Sequence, residues 1–101
     1  MYCAGQISAD ADGKPIPGDM AAQFNAALDS LEILLCKAGL KLSDVVRLNY
    51  YVTDIPAFLA AVPAVGERLK AAHCKQATTL LGIVRLAEPE WMIEIEATAV
   101  G

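Results

Sequence analysis

The sequence predicts an α+β domain in which two helices cover one face of a mixed sheet. Apolar residues recur at helical spacing in two stretches, and they alternate with polar residues in the others. The order of these stretches is β-α-β-α-β-β, which fits a two-layer α+β arrangement. With 101 residues, the chain is long enough for one domain and too short for two. We therefore expect residues 1–101 to form a single domain.

The first strand and the first helix are defined by turn and capping residues. A strand is predicted over residues 1–7, and the Asp- and Gly-containing segment that follows it has turn chemistry. Asp19 is a suitable N-cap for the helix, and Gly39 is placed to end it as a C′ glycine. The predicted apolar stripe of this helix consists of Met20, Phe24, Ala27, Leu28, Leu31, Leu34 and Leu35.

A second strand and a second helical region follow. Residues 45–53 alternate, and the face expected to pack on the helices carries Val46, Leu48, Tyr50 and Val52. The helical region covers residues 54–72, but proline is poorly tolerated in a helix interior. We therefore expect a short helical turn first and a main helix that starts near Pro63. The predicted apolar stripe of the region is Phe58, Leu59, Val62, Val65 and Leu69.

Two strands are predicted at the end of the chain, over residues 77–86 and 92–100. In the last strand the apolar and acidic residues alternate, so Glu94 and Glu96 share one face. Both helices are expected on the other face. The face that they leave uncovered is predicted to be partly apolar and to contact a partner subunit.

Composition supports a partner and excludes several classes of protein. Hydrophobic residues make up 55% of the chain, the mean hydropathy is +0.41 and only 20% of residues are charged. This apolar excess implies exposed apolar surface or coverage by another copy of the chain. The net charge of −4 disfavours binding to nucleic acid, and no apolar run is long enough for a membrane span.

The cysteines and the histidine indicate neither a disulfide framework nor a metal site. The three cysteines are far apart and odd in number, which predicts free thiols in a reducing compartment, with cytoplasm as the default. His73 has only Cys74 beside it as a further ligand, so no metal is expected. No cofactor is expected either.

Several segments of the chain occur in a characteristic order and spacing. They are Ala4-Gly5-Gln6-Ile7, Gly18-Asp19-Met20-Ala21-Ala22-Gln23, Ala38-Gly39-Leu40-Lys41-Leu42-Ser43-Asp44-Val45-Val46, Tyr51-Val52-Thr53-Asp54-Ile55 and Ile93-Glu94-Ile95-Glu96-Ala97-Thr98-Ala99-Val100. With these segments, the chain resembles the RidA (YjgF-type) family over essentially its whole length. The family's usual N-terminal segment, which carries a strand and a frequently used active-site tyrosine, is expected to be missing.

The resemblance implies a chorismate-mutase-like α+β fold assembled as a homotrimer. In such trimers the sheets pack around the threefold axis, and a small-molecule ligand binds in each cleft between neighbouring subunits. The best-understood members hydrolyse 2-imino or enamine acids, such as 2-aminoacrylate, to 2-keto acids and ammonia. A cation and backbone N–H groups hold the substrate carboxylate. A carboxylate of the protein positions a water molecule and takes part in the proton transfer.

The family's site residues match this chain in part. Gly5 matches the glycine whose N–H binds the substrate carboxylate, with Ala4 in place of the preceding serine. Glu94 matches the glutamate that orients water, and is the expected catalytic residue. The family's Pro-Ala-Arg-Ser segment is Gln76-Ala77-Thr78-Thr79 here, so Thr78 stands in place of the clamping arginine. Threonine cannot replace arginine by charge.

These matches leave two hypotheses of different classes. The first is an imine or enamine hydrolase, or a related small-molecule hydrolase or tautomerase, that uses Glu94 and an ordered water. The second is a trimer that binds a small metabolite without turning it over. In either case we expect a neutral or differently charged ligand, held by the Gly5 N–H, the Thr78 and Thr79 hydroxyls and Glu94 in an apolar pocket. A ribonuclease ranks third because the chain has no basic stripe.

Overall fold

A mixed four-stranded sheet carries both helices on one face, as the sequence predicts. The computed structural model describes residues 1–101. Its elements are β1 (Tyr2–Gln6), α1 (Met20–Lys37), a 3₁₀ turn (Leu42–Asp44), β2 (Val45–Val52), α2 (Ile55–Ala71), β3 (Ala77–Gly82) and β4 (Ile93–Ala99). The strand order is β1-β4-β2-β3. Strands β2 and β3 are parallel, and the other two pairs are antiparallel.

Helix α1 begins and ends where its capping residues predict. The Asp19 carboxylate accepts a hydrogen bond from the Ala22 N–H at 2.9 Å. Gly39, directly after the C-cap, adopts a φ of 75°, which glycine tolerates at no steric cost. The buried residues of the helix are Met20, Gln23, Phe24, Ala27, Leu28, Leu31 and Leu35.

Helix α2 is continuous through Pro63, so the predicted division of this region is wrong. Its N-cap is Asp54, and its buried residues are Phe58, Ala61, Val65 and Leu69. These residues lie on both sides of Pro63 along one face, while Pro63 itself is exposed. Packing of one apolar stripe therefore outweighs the hydrogen bond that proline removes on the solvent side. Leu59, which the sequence assigned to the stripe, is 58% exposed.

Strand β2 contains an irregularity that shifts its predicted alternation. The register with β4 changes between Val45 and Arg47, which is typical of a β-bulge. Val45 is buried as a result, whereas Val46, predicted to face the helices, is 45% exposed. From Leu48 onward the predicted alternation is confirmed, because Leu48, Tyr50 and Val52 are all buried.

Strand β3 is shorter than predicted and lies at one edge of the sheet. It ends at Gly82 rather than at residue 86, because its partner strand β2 ends at Val52, the residue opposite Gly82. All of its residues except Leu80 are exposed. In β4, Ile93, Ile95, Ala97 and Ala99 are buried, which confirms the alternation predicted there.

The core lies between the two helices and the sheet and comprises 20 buried residues. The opposite face of the sheet, which we call the open face, has no helix over it. Tyr2 is 90% exposed and Leu81 is 49% exposed on this face. The open face is therefore partly apolar, as the sequence predicts.

Candidate functional site

Two neighbouring strands give the open face a cluster of polar side chains. The β2–β4 register places Tyr51 opposite Glu94 and Asn49 opposite Glu96. The Tyr51 hydroxyl donates a hydrogen bond of 2.5 Å to Glu96 Oε1, and Asn49 Nδ2 donates one of 3.5 Å to the same oxygen. The hydrogen bond to Glu96 raises the pKa of the Tyr51 phenol. Glu96 is thus held by its neighbours, whereas Glu94 makes no side-chain hydrogen bond.

Gly5 lies directly against Glu94. A Cβ built on Gly5 would be 2.6 Å from Glu94 Oε1 and 2.7 Å from its Cγ, which is closer than real Cβ contacts. Only glycine therefore fits beside the carboxylate in its present position. Gly5 lies where the β1–β4 register shifts, between Cys3 and Gln6, and the preceding Ala4 is exposed. The structure thus brings together Gly5 and Glu94, and Ala4 precedes Gly5 in the same strand.

Thr78 and Thr79 project from opposite faces of β3. Thr79 pairs with Asn49, and its hydroxyl oxygen accepts a hydrogen bond of 3.3 Å from Arg47, so it lies on the open face. Thr78 pairs with Leu48, which is fully buried beneath the helices. Side chains alternate along a strand, so Thr78 and Glu94 are on opposite faces of one sheet. Within a single chain, the structure does not bring these two residues together.

Thr78 instead borders a cavity on the helix-covered face. The cavity has a volume of about 310 Å³, close to the lower end of the range for small-molecule sites. Its lining residues are Phe24, Tyr50, Phe58, Val62, Gly66, Leu69, Gln76, Thr78 and Leu80. None of them carries a formal charge.

Three aromatic rings form one wall of the cavity. Phe24 and Phe58 are stacked, with centroids 5.3 Å apart and an interplanar angle of 18°. The Tyr50 ring lies 5.3 Å from Phe24 and 5.2 Å from Phe58, at angles of 64° and 47°. These separations and angles are favourable for aromatic pairs, so the three rings form one packed wall.

The polar groups of the cavity are neutral. Burial raises the pKa of the Tyr50 phenol, which has Gln76 and Cys74 beside it. Burial also raises the pKa of the Cys74 thiol. Both groups therefore keep their protons at physiological pH, and the cavity offers hydrogen-bonding groups without charge.

The three arginines of the chain lie outside the cavity. Arg68 joins α2 to α1 through ion pairs with Asp29 at 2.7 Å and Glu32 at 2.6 Å. Arg85 donates to backbone carbonyls of its own loop, and Arg47 donates to Thr79. No arginine of the same chain therefore replaces the charge that Thr78 lacks.

Clusters of metal-binding side chains, disulfides and membrane-spanning helices are absent from the structure. No group of three or more His, Cys, Asp and Glu side chains is arranged to hold a metal ion. The three cysteines are free: Cys3 is buried, Cys74 is half-buried and Cys36 is exposed. Neither helix has the length and apolar character needed to cross a bilayer.

Gln23 was not identified as important from the sequence, yet it holds the segment before β4. Its buried amide donates to the Glu90 carbonyl at 2.9 Å and accepts from the Met92 N–H at 2.8 Å. Trp91, between them, donates from Nε1 to the Ser8 carbonyl at 2.8 Å. These bonds fix the start of the strand that carries Glu94. The available signal was a glutamine on the apolar face of α1.

Comparisons with known proteins agree over the full chain. The family model described as Endoribonuclease L-PSP matches residues 1–101. The chain is 34% identical to the 2-iminobutanoate/2-iminopropanoate deaminase of Escherichia coli K12, with 99% of this chain and 78% of that protein covered. It is 31% identical to the mitochondrial protein mmf2 of Schizosaccharomyces pombe, with 98% and 78% covered.

Solved structures show the same fold. A protein of unknown function of the Rid family, YyfB from Yersinia pestis, is 40% identical with a TM-score of 0.88, covering 98% of this chain and 76% of that one. The YjgF gene product of E. coli is 34% identical with a TM-score of 0.85, covering 98% and 78%. The predicted resemblance and the predicted fold are both confirmed.

Proposed function

Because the chain belongs to the Endoribonuclease L-PSP family, whose members include Rid and YjgF proteins and imine deaminases, we propose that it binds a small molecule in clefts between the subunits of a homotrimer. The separation of Thr78 from Glu94 carries this proposal. A cavity opens on one face of the sheet, and Gly5 and Glu94 lie on the other. A cleft that contains both requires two copies of the chain.

A ring of three copies supplies that arrangement. In a closed ring each interface joins two different surfaces of the chain. With the open faces turned toward the threefold axis, the exposed β3 edge of one copy, which carries Thr78, lies beside the open face of the next. The exposed Tyr2 and Leu81 side chains of the open face favour such burial. Each cleft then has the cavity from one subunit and the Gly5–Glu94 pair from its neighbour.

In this cleft the proposed reaction is hydrolysis of an imine or its enamine tautomer. Glu94 accepts a proton from a water molecule as the water oxygen bonds to the imine carbon. The C–N bond of the resulting carbinolamine then breaks, and the nitrogen takes up protons. The products are a carbonyl compound and ammonia. Water is the only co-reactant, so the reaction needs no cofactor.

Binding without turnover is the second candidate, and the cavity itself favours it. An imino acid has a carboxylate, and no cation lines the cavity to hold one. On this alternative the trimer sequesters a metabolite. Free cysteines are typical of a reducing compartment, so we place either activity in the cytoplasm. The net charge of −4 argues against an RNA substrate.

Ammonia release separates the two candidates. Imino acids are generated in situ by an amino-acid oxidase, and the protein is added. We expect acceleration that Glu94→Gln reduces by about 10²–10⁴-fold, the usual contribution of a general base. Glu96→Gln is the matched control, because Glu96 is on the same strand and face but is held by Tyr51. No acceleration by the wild type would eliminate the deaminase and leave the binding protein.

Subunit mixing tests the shared cleft. Glu94→Gln and Thr78→Trp each disable every cleft of a homotrimer, but in different contributing subunits. When the two variants are co-expressed in equal amounts, about a quarter of the clefts combine an intact Thr78 with an intact Glu94. We expect ammonia release to recover to that fraction. A mixture that stays inactive, or a stable monomer in light scattering, would contradict the shared cleft.

A further inference from the structure

We infer that the cavity takes a planar aromatic or conjugated group together with its polar end, and that this polar end is not a carboxylate. This inference rests on the proposed function, because it names the class of ligand for the same cleft. It follows from the residues that line the cavity rather than from the resemblance to imino-acid hydrolases.

The aromatic wall favours a planar group. Phe24, Tyr50 and Phe58 present ring faces and edges at mutual distances of 5.2–5.3 Å. A further ring or conjugated plane can pack against them at the same distances and gain offset-stacked or edge-to-face contacts. Val62, Leu69 and Leu80 complete an apolar surround. A flexible polar chain would lose hydration here without gaining comparable contacts.

The glycine of α2 leaves room for such a group. Gly66 lines the cavity, and a Cβ built on it would meet no atom within 4 Å. The helix therefore has no side chain where the cavity is open. A side chain introduced at this position would enter space that the ligand is proposed to fill.

The polar end of the cavity excludes a carboxylate. Its hydrogen-bonding side chains are the Tyr50 phenol, the Gln76 amide and the Thr78 hydroxyl, and all three are uncharged. These groups can donate to a carbonyl and accept from an N–H or O–H. A carboxylate would meet no cation there, and in the proposed cleft it would lie near Glu94 of the neighbouring copy. It would lose its hydration without an opposite charge in return.

Two probes of the same skeleton test the inference by isothermal titration calorimetry on the intact protein. They are phenylacetamide, which is neutral, and phenylacetate, which is anionic. We expect phenylacetamide to bind about tenfold or more tightly than phenylacetate, because an unpaired desolvated charge costs at least that much affinity. Equal affinities, or tighter binding of phenylacetate, would overturn the inference. Neither result would affect the ammonia-release or subunit-mixing tests of the proposed function.

Variants locate the binding and its charge selectivity. Thr78→Arg should reverse the preference, so that phenylacetate binds more tightly than phenylacetamide. Ser43→Arg adds the same charge at an exposed turn outside the cavity and should leave the preference unchanged. Gly66→Leu should abolish binding of phenylacetamide while the protein stays folded, because leucine is a strong helix former. Undiminished binding by the Gly66 variant, or no binding of phenylacetamide to the wild type, would also overturn the inference.

Discussion

Replacing Gly5 with alanine places a methyl carbon in space that the Glu94 side chain occupies. The new Cβ would lie 2.6 Å from Oε1 and 2.7 Å from Cγ, whereas ordinary Cβ contacts begin at 3.4 Å. The carboxylate, whose carbon is the nearest atom, must therefore move by about 1 Å or turn to another rotamer. Alanine causes no backbone strain at this position, because Gly5 is not among the glycines with positive φ.

The free energy of unfolding should reveal this clash as a coupling between the two residues. Alanine at a compatible backbone position stabilises by about 0.4–1 kcal/mol through the unfolded state. Moving the Glu94 side chain off its rotamer costs about 0.5–1.5 kcal/mol, because no side-chain hydrogen bond holds it. We expect Gly5→Ala to stabilise the Glu94→Ala variant by about 0.4–1 kcal/mol and to leave the wild type within about 1 kcal/mol of its original stability. The coupling energy is then about 0.5–1.5 kcal/mol.

Urea unfolding of the wild type, the two single variants and the double variant measures this coupling. The protomer concentration is held constant, because assembly contributes to stability. The matched control combines Gly5→Ala with Glu96→Ala, since Glu96 is not among the atoms closest to Gly5. That pair should be additive. If the Gly5 and Glu94 effects also add within about 0.5 kcal/mol, the steric reasoning is refuted. If ammonia release is detectable, Gly5→Ala should lower it by up to about 10²-fold, as expected for a misplacement near 1 Å.

Three further predictions concern stability. Gln23→Met should lower the free energy of unfolding in urea by about 2–4 kcal/mol, because it leaves the Met92 N–H without its 2.8 Å acceptor. A loss below about 1 kcal/mol would contradict this role of Gln23. Arg68→Met should cost about 1–2 kcal/mol at low salt and less at 1 M salt, because its carboxylate partners are 65% and 47% exposed. A salt-independent cost would instead indicate lost packing. Burial raises the pKa of the Tyr50 phenol above its ordinary 10.0, so the folded state favours the neutral phenol. Tyr50 therefore contributes stability below about pH 10, and this contribution is lost as the pH rises further. Unfolding measured between pH 9 and 11 should show a decline that Tyr50→Phe reduces, and an equal decline in both proteins would refute the assignment.

The helices illustrate how far local patterns predict this fold. The caps of α1 depend only on neighbouring residues, and Asp19 and Gly39 act as predicted. Pro63 was misjudged because its local cost was weighed without the tertiary contacts that oppose it. Phe58 and Val65, on either side of Pro63, are both buried against the same core, so a single rigid helix is favoured over two segments.

The strands show what a local pattern cannot predict. Alternation in β4 was predicted correctly, because it depends on a period of two within one segment. The bulge at Val45 and the end of β3 at Gly82 depend on the partner strand, and neither partner nor register is visible in a single segment. Predicting the contact of Gly5 with Glu94 also requires the strand order β1-β4-β2-β3, in which the first strand of the chain pairs with the last.

The site residues were predicted as one polar set, but the sheet separates them. Alternation alone requires Thr78 and Thr79 to face opposite ways, so no cleft within one chain can use both. The proposed assembly also explains the apolar excess in the composition, because it buries the partly apolar open face between subunits. On that proposal, the open face, where Tyr2 and Leu81 are exposed, would bring Glu94 to a neighbouring cavity. Burial of that face and completion of the site are then a single event, and subunit dissociation should abolish binding before it unfolds the chain.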